Sequence, residues 1–483
     1  MTKILNTPAD LVESFSGVRG IFGQGITQDI AFRYALAYCQ LWPQKPKVLV
    51  VAGDSRPSTP SLKQAMIKAF LASGVFQVID LDIVPVQVAE YVIQKWQADG
   101  GVYVSASHNE PQYNGWKMLK PDGAILYPNQ ADRVIALVHD LSWQPVIELN
   151  KDITGQVVNK QQQAIDLYIS YVLNRVGPEA VEKIKKSSFN VLIDPNGGAG
   201  LLVLQPLLAA LGVKATIINN QLGQFSRLIE PKAESLAFLI QIMSQGQFQF
   251  ACGFDCDADR VEFVLSPNGS WTKKMGSAML SGQYVLALAC DSLLSGTKNQ
   301  VVVTNDATSY LIRDVIKRHN AVMKEVEVGE IVAVEAMEAE SSLIGGEGSN
   351  GGVIIPPIKC RDGLMTMVLM LKTMAQSGQT LEAVLESYPQ YFSARTKVSC
   401  LPEKAIAIRE KLEDYFKSKG YQILKTGDET GGLKALLDPN SYVWFRQSKT
   451  ELGVFRIHAE ADQSQQKADN LLQEGNIAFN RSQ

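Results

Sequence analysis

The chain has 483 residues, of which 46% are hydrophobic and 20% charged, and its formal net charge is −3. At roughly 100–200 residues per domain, this length predicts three or four globular domains, and the absence of a basic run argues against nucleic-acid binding. The N-terminal residues contain no apolar stretch of signal-peptide length, and no later segment approaches a membrane span. Together with six scattered cysteines, this predicts a reduced, cytoplasmic chain without membrane attachment.

Three segments repeat one pattern, in which a β-branched run is followed by a short loop and an amphipathic helix. They are residues 47–74, 190–212 and 300–320. Gly74, Gly212 and Asn320 stand where helix C-caps belong. A continuous run of Val, Ile and Leu is typical of a strand buried on both faces of a sheet. The repetition predicts three related α/β domains with mixed sheets, whose ligands bind at loops following the strands.

The first polar cluster lies in "GVYVSASHNEPQYNGWKM", where the strand-like residues 101–104 lead into Ser107 and His108. The Asn-Gly pair at 114–115 predicts a tight turn that returns Lys117 towards the end of this strand. A serine beside an imidazole and an ammonium suits phosphate chemistry, because both cations can neutralise a phosphoryl group. The alternative is a polar loop that caps the following segment.

The second cluster is "CGFDCDADRVEF", in which Asp255, Asp257 and Asp259 alternate. In an extended chain, alternation points all three carboxylates to one side. Such charges repel one another unless a cation sits between them, and all-oxygen ligands favour Mg²⁺. An EF-hand is excluded because Arg260 stands where that loop requires glycine, and the two neighbouring cysteines lack the spacing of a zinc knuckle. A solvated acidic turn remains the alternative.

The third cluster is the glycine-rich segment "IGGEGSNGGVIIP", which contains Glu347 and Ser349. Glycines let the backbone approach a ligand closely, and a carboxylate with a hydroxyl can hold sugar hydroxyls. Glycine-rich loops have many other uses, so this pattern by itself only indicates a candidate site.

The fourth cluster, "FRQSKTELGVFR", supplies cationic and hydroxyl donors with little opposing acid: Arg446, Ser448, Lys449, Thr450 and Arg456. This set suits a phosphate dianion, which Arg can bind through two parallel hydrogen bonds. An exposed hairpin with ordinary surface charges is the alternative. Residues 442–461 predict two strands around this loop, and the helix predicted after them completes a separate α+β domain.

In this order, "SASHN…NGWK", "DCDADR", "GGEGSNGG" and "RQSKTE" resemble the motifs of the α-D-phosphohexomutase superfamily, which includes phosphoglucomutase, phosphomannomutase and phosphoglucosamine mutase. "FSGVRG", with Arg19, and "GDSRPSTP", with Arg56, resemble earlier elements of the same family. The likeness covers essentially the whole chain. It implies three related α/β domains and a C-terminal α+β domain around a central cleft. The predicted domains are residues 1–145 with the serine loop, 146–267 with the metal loop, 268–385 with the sugar loop and 386–483 with the phosphate loop.

The resemblance also implies an activity, the interconversion of a hexose 1-phosphate and a hexose 6-phosphate through a phosphoserine. Hexose 1,6-bisphosphate would be both intermediate and activator, and the protein would be a monomer or homodimer acting on small hexose phosphates. The implied catalytic residues are Ser107, His108, Lys117, Arg260 and Arg19. The implied Mg²⁺ ligands are Ser107, Asp255, Asp257 and Asp259. The implied substrate-binding residues are Glu347, Ser349, Arg446, Ser448, Lys449, Thr450 and Arg456.

The sequence departs from the family pattern at several positions. Glu110 stands where many members have proline, and Cys256 where glycine is usual. Gly351 replaces a histidine found in several members, which leaves Lys117 as the better candidate for general acid and base. Glucose and mannose phosphates are the leading substrates, and a phosphoglucosamine mutase is an alternative. Two further hypotheses stay open, namely a phosphatase with Asp255 as nucleophile and a non-catalytic sugar-phosphate-binding protein.

Overall fold

The structure is a computed structural model that describes residues 11–140, 142–143, 155–348, 351–448 and 453–483. Within these ranges the chain divides into two compact units. The first comprises residues up to Leu280 together with Ile354–Gly378, and the second comprises Ser281–Val353 and Gln379–Gln483. Among the described residues, no helix combines the length and apolar character needed to cross a membrane.

The strands, in chain order, are β1 (Val12–Ser14), β2 (Gly17–Ile21), β3 (Val48–Gly53), β4 (Gln77–Ile83), β5 (Gly101–Val104), β6 (Tyr113–Leu119), β7 (Gln156–Asn159), β8 (Asn190–Asp194), β9 (Lys214–Ile217), β10 (Ala251–Phe254), β11 (Val261–Val264), β12 (Met279–Leu280), β13 (Val301–Asn305), β14 (Val322–Val326), β15 (Gly345–Gly346), β16 (Phe392–Ser399), β17 (Gln422–Lys425), β18 (Leu433–Asp438), β19 (Ser441–Gln447) and β20 (Val454–Ala461). The helices are α1 (Gln28–Cys39), α2 (Thr59–Ala72), α3 (Val86–Lys95), α4 (Pro128–His139), α5 (Gln161–Val176), α6 (Pro178–Lys186), α7 (Leu201–Ala210), α8 (Ala233–Gln245), α9 (Ser270–Met275), α10 (Gly282–Leu294), α11 (Tyr310–Ile316), α12 (Glu330–Ala339), α13 (Gly363–Ser377), α14 (Leu381–Leu385), α15 (Ala405–Ser418) and α16 (Gln465–Ser482).

The first unit contains two mixed sheets. In the described part of the chain, the strand order of the first is β1-β2-β6-β5-β3-β4-β7, and that of the second is β12-β11-β10-β8-β9. Each sheet has a parallel part, β5-β3-β4-β7 and β10-β8-β9, which ends in an edge strand on one side and continues into antiparallel strands on the other. The strands β5 and β10 lie where the parallel part meets its antiparallel neighbour, and the serine and aspartate clusters follow their carboxyl ends.

The repeated strand–loop–helix pattern is confirmed in all three predicted segments. The pairs are β3 with α2, β8 with α7, and β13 with α11. The central strands are buried along most of their length, as the unbroken apolar runs predict. Gly74, Gly212 and Asn320 all adopt left-handed backbone near the helix ends, with φ of 79°, 64° and 53°.

The Asn-Gly pair at 114–115 lies inside β6, so the tight turn predicted at this pair is wrong. The Asn114 side chain instead donates to Ser58 Oγ at 2.7 Å and to Thr59 Oγ1 at 3.1 Å, at the start of α2. The chain reverses earlier, between β5 and β6, in the loop that carries Ser107. Lys117 pairs with Tyr103 across these strands, and it therefore approaches the site from a neighbouring strand rather than after a turn.

Gly115 is required in β6 because strand β2 passes close to it. A Cβ atom at this position would lie 1.9 Å from the carbonyl oxygen of Val18. We expect Gly115→Ala to lower the free energy of unfolding by about 3 kcal/mol, measured by urea denaturation. Gly23→Ala is the control, because Gly23 has φ of 85° but no atom within 4 Å, so only backbone strain of about 1 kcal/mol is expected. Equal losses in the two variants would contradict the steric explanation.

The second unit contains two further sheets. In its described residues, the strand order of the parallel sheet is β14-β13-β15, and that of the antiparallel sheet is β16-β20-β19-β18-β17. Helices α15 and α16 pack on one face of the antiparallel sheet and share a core with Phe445 and Ile457. The predicted fold class, α/β with a C-terminal α+β domain, is confirmed, and the predicted boundaries at 145, 267 and 385 stay predictions.

Candidate active site

Ser107 lies in the loop that follows β5. The residue is buried, and its backbone is left-handed, with φ of 52°. Such a conformation is uncommon for residues other than glycine and is often found at functional sites. The Ser107 amide donates to Ser105 Oγ at 2.7 Å, and Ser107 Oγ lies 3.4 Å from His108 Nδ1. The loop therefore holds the serine in one strained, defined conformation.

Arg56 holds this loop through hydrogen bonds to its main chain. Its guanidinium donates to the carbonyl oxygen of Ser107 at 2.8 Å and also to that of Asn109. Arg56 is only 1% exposed, and its charge is balanced by an ion pair with Asp54. Asp54 in turn accepts a hydrogen bond from Thr59 Oγ1 at 3.0 Å. A buried ion pair of this kind needs such additional hydrogen bonds, and here they determine the path of the serine loop.

Asp255, Asp257 and Asp259, here called the aspartate triad, meet in the loop after β10. All three are fully buried, and one carboxylate oxygen of each lies within 4.8 Å of the others. The loop is not the extended chain predicted from the alternation, because Ala258 has left-handed backbone with φ of 57°. The carboxylates are thus gathered by a tight turn and not by a strand.

The electrostatics of the triad indicate a cation site. Burial and the charges of the other two carboxylates raise the pKa of Asp255 well above its usual range. One oxygen each of Asp255, Asp257 and Asp259 is buried without a hydrogen-bond partner among the described residues. Buried, unpartnered carboxylate oxygens at this spacing fit a hard divalent cation such as Mg²⁺, which would satisfy all three.

Three cations surround the triad. Lys117 Nζ lies 3.2 Å from Asp257 Oδ2, and Arg260 Nε lies 3.9 Å from Asp259 Oδ1. Burial alone would raise the pKa of Asp259, but Arg361, Lys117 and Arg260 outweigh it and hold that pKa below its usual range. The predicted residues Lys117 and Arg260 are therefore placed beside the carboxylates.

Arg19 and His108 belong to the same charged surroundings. Burial lowers the pKa of Arg19, and the charges of Asp257 and Arg260 also act on it. Burial, followed by the charges of Arg260 and Arg19, lowers the pKa of His108 to about 2. Among these buried cations the imidazole is therefore neutral at physiological pH, and the role predicted for His108 beside a phosphoryl group stays a prediction.

Three residues of this site were not identified as site residues from the sequence. Arg361 Nη2 lies 3.3 Å from Asp259 Oδ2, and Ser105 Oγ lies 3.4 Å from Asp257 Oδ2. Glu230 accepts from Arg260 Nη1 at 2.6 Å and orients that guanidinium. The "RDG" sequence that begins at Arg361 was the available signal, and it is 102 residues away from its aspartate partner.

The backbone of the loop that carries the aspartate triad is held by α3 and α13. Val86 N donates to the carbonyl oxygen of Asp257 at 3.3 Å. The carbonyl oxygen of Ala258 accepts from Gln87 Nε2 at 3.1 Å and from Gly363 N at 3.2 Å. Gln87 Nε2 also lies 3.3 Å from Asp362 Oδ1, and that carboxylate caps α13. The loop geometry therefore depends on residues far from it in sequence.

Asp362 makes the stability of these contacts around the aspartate triad dependent on pH. Burial raises its pKa to about 6, although hydrogen bonds from Met365 N and Tyr168 oppose the shift. The pKa of Asp362 is higher in the folded state than in the unfolded state. Its contribution to the free energy of unfolding is therefore complete below about pH 4 and is lost as the pH rises through about 6. From pH 4 to 7, we expect wild type to lose about 2–3 kcal/mol of unfolding free energy relative to Asp362→Asn.

The measurement is urea unfolding at several pH values. The exposed Asp132 on α4 supplies the control, since Asp132→Asn should follow the pH dependence of wild type. A difference between wild type and Asp362→Asn that is the same at pH 4 and pH 7 would show that Asp362 does not titrate as proposed.

The remaining predicted residues lie in the second unit. Glu347 Oε1 accepts from Asn305 Nδ2 at 2.8 Å and from Gly329 N at 3.2 Å. Arg446 is buried and pairs with Glu327 at 2.9 Å, an acidic partner that the local sequence did not reveal.

Ser448 and Arg456 flank the predicted phosphate loop. Ser448 is buried and its amide donates to the carbonyl oxygen of Val454 at 2.8 Å, while Arg456 is exposed on β20. Three of the predicted substrate-binding residues lie outside the described residues: Ser349, Lys449 and Thr450.

Comparison with known proteins gives a consistent result along the chain. The matching domains are phosphoglucomutase/phosphomannomutase alpha/beta/alpha domain I at residues 13–144, domain II at 166–268 and domain III at 281–391. A phosphoglucomutase/phosphomannomutase of Thermococcus kodakarensis is 33% identical over 470 residues, which cover 95% of this chain and 96% of that protein. A phosphoglucosamine/phosphogalactosamine mutase of Sulfurisphaera tokodaii is 27% identical over 469 residues, with coverage of 95% and 96%.

The fold is also shared with solved structures. The crystal structure of a phosphoglucomutase/phosphomannomutase family protein from Burkholderia thailandensis matches with a TM-score of 0.80 at 20% identity. The match covers 99% of this chain and 98% of that one. Likeness in sequence and in fold thus extends over nearly the whole chain.

Proposed function

Because the chain belongs to the phosphoglucomutase/phosphomannomutase family of intramolecular phosphotransferases, we propose that it moves a phosphoryl group between O1 and O6 of glucose or mannose through Ser107. The observation that carries the proposal is the strained, buried Ser107 loop, whose Ser105 Oγ lies 3.4 Å from Asp257 Oδ2 of the aspartate triad, with Lys117 Nζ 3.2 Å from the same oxygen. The similarity to a phosphoglucosamine/phosphogalactosamine mutase supports glucosamine phosphate as the alternative substrate.

In the proposed reaction, Ser107 Oγ carries the phosphoryl group. The oxygen of a sugar hydroxyl attacks phosphorus, and the bond from phosphorus to Ser107 Oγ breaks. Lys117 gives its proton to the departing serine oxygen and is recharged by the proton of the attacking hydroxyl. The resulting hexose 1,6-bisphosphate returns its other phosphoryl group to Ser107 by the reverse steps. The neutral His108 ring, 3.4 Å from Ser107 Oγ, orients the serine hydroxyl.

The aspartate triad and Ser107 would hold Mg²⁺, which when bound supplies positive charge against the oxygens of the phosphoryl group. This assignment is supported by the unpartnered oxygens of the triad. Arg260, oriented by Glu230, and Arg19 would add fixed positive charge on the same side, which favours the charge distribution of the transition state.

The second unit would bind the rest of the substrate. In this proposal Glu347 and Ser349 hold sugar hydroxyls, and the phosphate that is not transferred is held by Arg446, Ser448, Lys449, Thr450 and Arg456. All six cysteines lie in described residues and are buried free thiols, which supports the proposed cytoplasmic location. A monomer or homodimer remains the proposed assembly.

The test is a panel of mannose, glucose and glucosamine 1-phosphates, each incubated with the protein, Mg²⁺ and a trace of glucose 1,6-bisphosphate. We expect the 6-phosphate from at least one sugar and, by mass spectrometry, phosphate on Ser107. Release of inorganic phosphate without isomerisation would favour the phosphatase, and binding without turnover would favour the non-catalytic protein. Either outcome would overturn the proposal.

A further inference from the structure

Arg227 lies in the segment between β9 and α8, and its side chain is only 5% exposed. Its Nε donates to Asp194 Oδ2 at 2.6 Å, at the end of β8. Its Nη1 donates to the carbonyl oxygens of Leu228 at 2.9 Å and Ile229 at 3.3 Å. Its Nη2 donates to the carbonyl oxygens of Phe254 at 2.7 Å and Asp194 at 3.4 Å. Each of the five N–H groups of the guanidinium therefore has an acceptor.

The hydrogen bonds of Arg227 reach the main chain next to the aspartate triad. Phe254, whose carbonyl oxygen Arg227 binds, is the last residue of β10 and directly precedes Asp255. Strand β10 pairs in parallel with β8, and Gly253 is opposite Asp194 in this pairing. Arg227 thus joins the ends of two neighbouring strands at the point where the loop of the aspartate triad begins.

The same guanidinium holds the main chain that leads to Glu230. The carbonyl oxygen of Ile229 accepts from Arg227, and the Ile229 amide donates to Glu110 Oε1 at 3.3 Å in the serine loop. The next residue, Glu230, accepts from Arg260 Nη1 at 2.6 Å. One buried side chain is therefore connected to the loop of the triad, to the serine loop and to the arginine beside the triad.

The main chain at Arg227 is held separately from its side chain. Asn196 Oδ1 accepts from Ser226 N at 2.8 Å and from Arg227 N at 3.2 Å, and Asn196 Nδ2 donates to the carbonyl oxygen of Arg227 at 3.1 Å. We therefore expect this turn to persist when the side chain is replaced. A lysine would keep the charge opposite Asp194, but its single nitrogen lacks the fork that serves several acceptors at once.

We propose that Arg227 is a positioning residue of the phosphoryl-transfer site. Its guanidinium sets where Asp255 and Arg260 lie relative to each other, and it acts through these hydrogen bonds and not through contact with the substrate. The inference rests on the proposed function, in which Asp255 would hold Mg²⁺ and Arg260 would stabilise the charge of the transition state. It adds to the site a residue that lies outside the four polar clusters of the sequence.

The experiment compares Arg227→Lys, Glu230→Gln and the variant with both substitutions. We expect Arg227→Lys to lower kcat about 30-fold with KM for the hexose 1-phosphate within about threefold of wild type, because the proposed substrate-binding residues are unchanged. Glu230→Gln should lower kcat about tenfold, since it removes the charge-assisted hydrogen bond to Arg260. If Arg227 acts through Glu230, adding the second substitution to Arg227→Lys should lower kcat by no more than about threefold, whereas independent residues would give the full tenfold loss.

The control is Arg33→Lys, because Arg33 also binds main-chain oxygens. Its Nε donates to the carbonyl oxygen of Val138 at 2.8 Å and its Nη2 to that of Asp140 at 2.6 Å, at the end of α4. Both lysine variants should lower the Tm, whereas only Arg227→Lys should lower kcat. Hydrogen–deuterium exchange needs no turnover, and only in Arg227→Lys should the amides of residues 255–260 exchange at least about threefold faster.

The inference fails if Arg227→Lys keeps the kcat of wild type, or if Arg33→Lys lowers kcat as much as Arg227→Lys does. Fully additive losses in the double variant would also overturn it. If wild type isomerises none of the three sugar phosphates, the proposed function fails, and exchange at residues 255–260 still decides whether Arg227 holds the loop of the triad. An active wild type with an unaffected Arg227→Lys would refute this inference alone.

Discussion

Ser107→Ala is expected to lower kcat/KM at least about 1,000-fold, since no other hydroxyl can take over a covalent phosphoryl group in the same geometry. The loop should keep its path because Arg56 binds the carbonyl oxygen of residue 107, which alanine retains. The left-handed backbone at this position disfavours alanine as it does serine, so the Tm should change little. Activity is measured by formation of the 6-phosphate, and stability by thermal unfolding.

A control variant and a binding measurement test whether the loss of activity comes from the loss of the phosphoryl carrier. Ser170→Ala on α5, where the serine is exposed, should keep full activity. Binding of glucose 1,6-bisphosphate to Ser107→Ala should remain within about tenfold of wild type, because the phosphate- and sugar-binding residues are unchanged. Substantial residual turnover in Ser107→Ala would exclude Ser107 as the phosphoryl carrier.

Asp255→Asn is expected to have opposite effects on stability and on activity. In EDTA the variant should be more stable than wild type by about 1 kcal/mol, or about 1–2 °C in Tm, because it lacks the carboxyl whose ionisation is opposed by burial and by the other two aspartates. The amide can still accept the hydrogen bond from Arg260 N that now reaches Asp255 Oδ1 at 3.2 Å. With Mg²⁺ present, the Tm of wild type should rise, whereas that of the variant should not.

Activity should follow metal binding. We expect kcat/KM of Asp255→Asn to fall at least about 100-fold, and wild type treated with EDTA to lose activity that Mg²⁺ restores. Asp166→Asn, at an exposed position on α5, is the matched control and should behave as wild type. A wild-type Tm that does not respond to Mg²⁺ would argue that the triad does not bind this ion.

The sequence predicted the repeated α/β units because their signal is local. Burial on both faces produces an unbroken apolar strand, and a left-handed residue such as Gly74 ends the following helix. The prediction of a turn at residues 114–115 was wrong because tertiary packing determines these residues. Close packing of β2 against Gly115 explains that glycine better than a turn does, and no local pattern reveals an approach from the strand containing Val18.

The candidate site was predictable only in part for the same reason. The aspartates are near one another in sequence, so their association could be predicted, although the turn at Ala258 that gathers them could not. Arg361 and Glu230 contact the site from distant segments; the "RDG" sequence marks Arg361, but only the fold shows that it pairs with Asp259 and that Glu230 pairs with Arg260.

The hydrogen bonds of Arg56 affect which substitutions the serine loop can accept as the sequence of this enzyme diverges. It recognises the serine loop through main-chain oxygens, which every amino acid possesses, so substitutions at neighbouring loop positions need not displace Ser107. Glu110 illustrates this freedom, since its side chain accepts a hydrogen bond from Ile229 N at 3.3 Å while Arg56 still holds the Ser107 carbonyl oxygen. Substitutions around Ser107 are thereby separated from the placement of Ser107 itself, and new contacts can evolve in the loop while its main chain keeps its path.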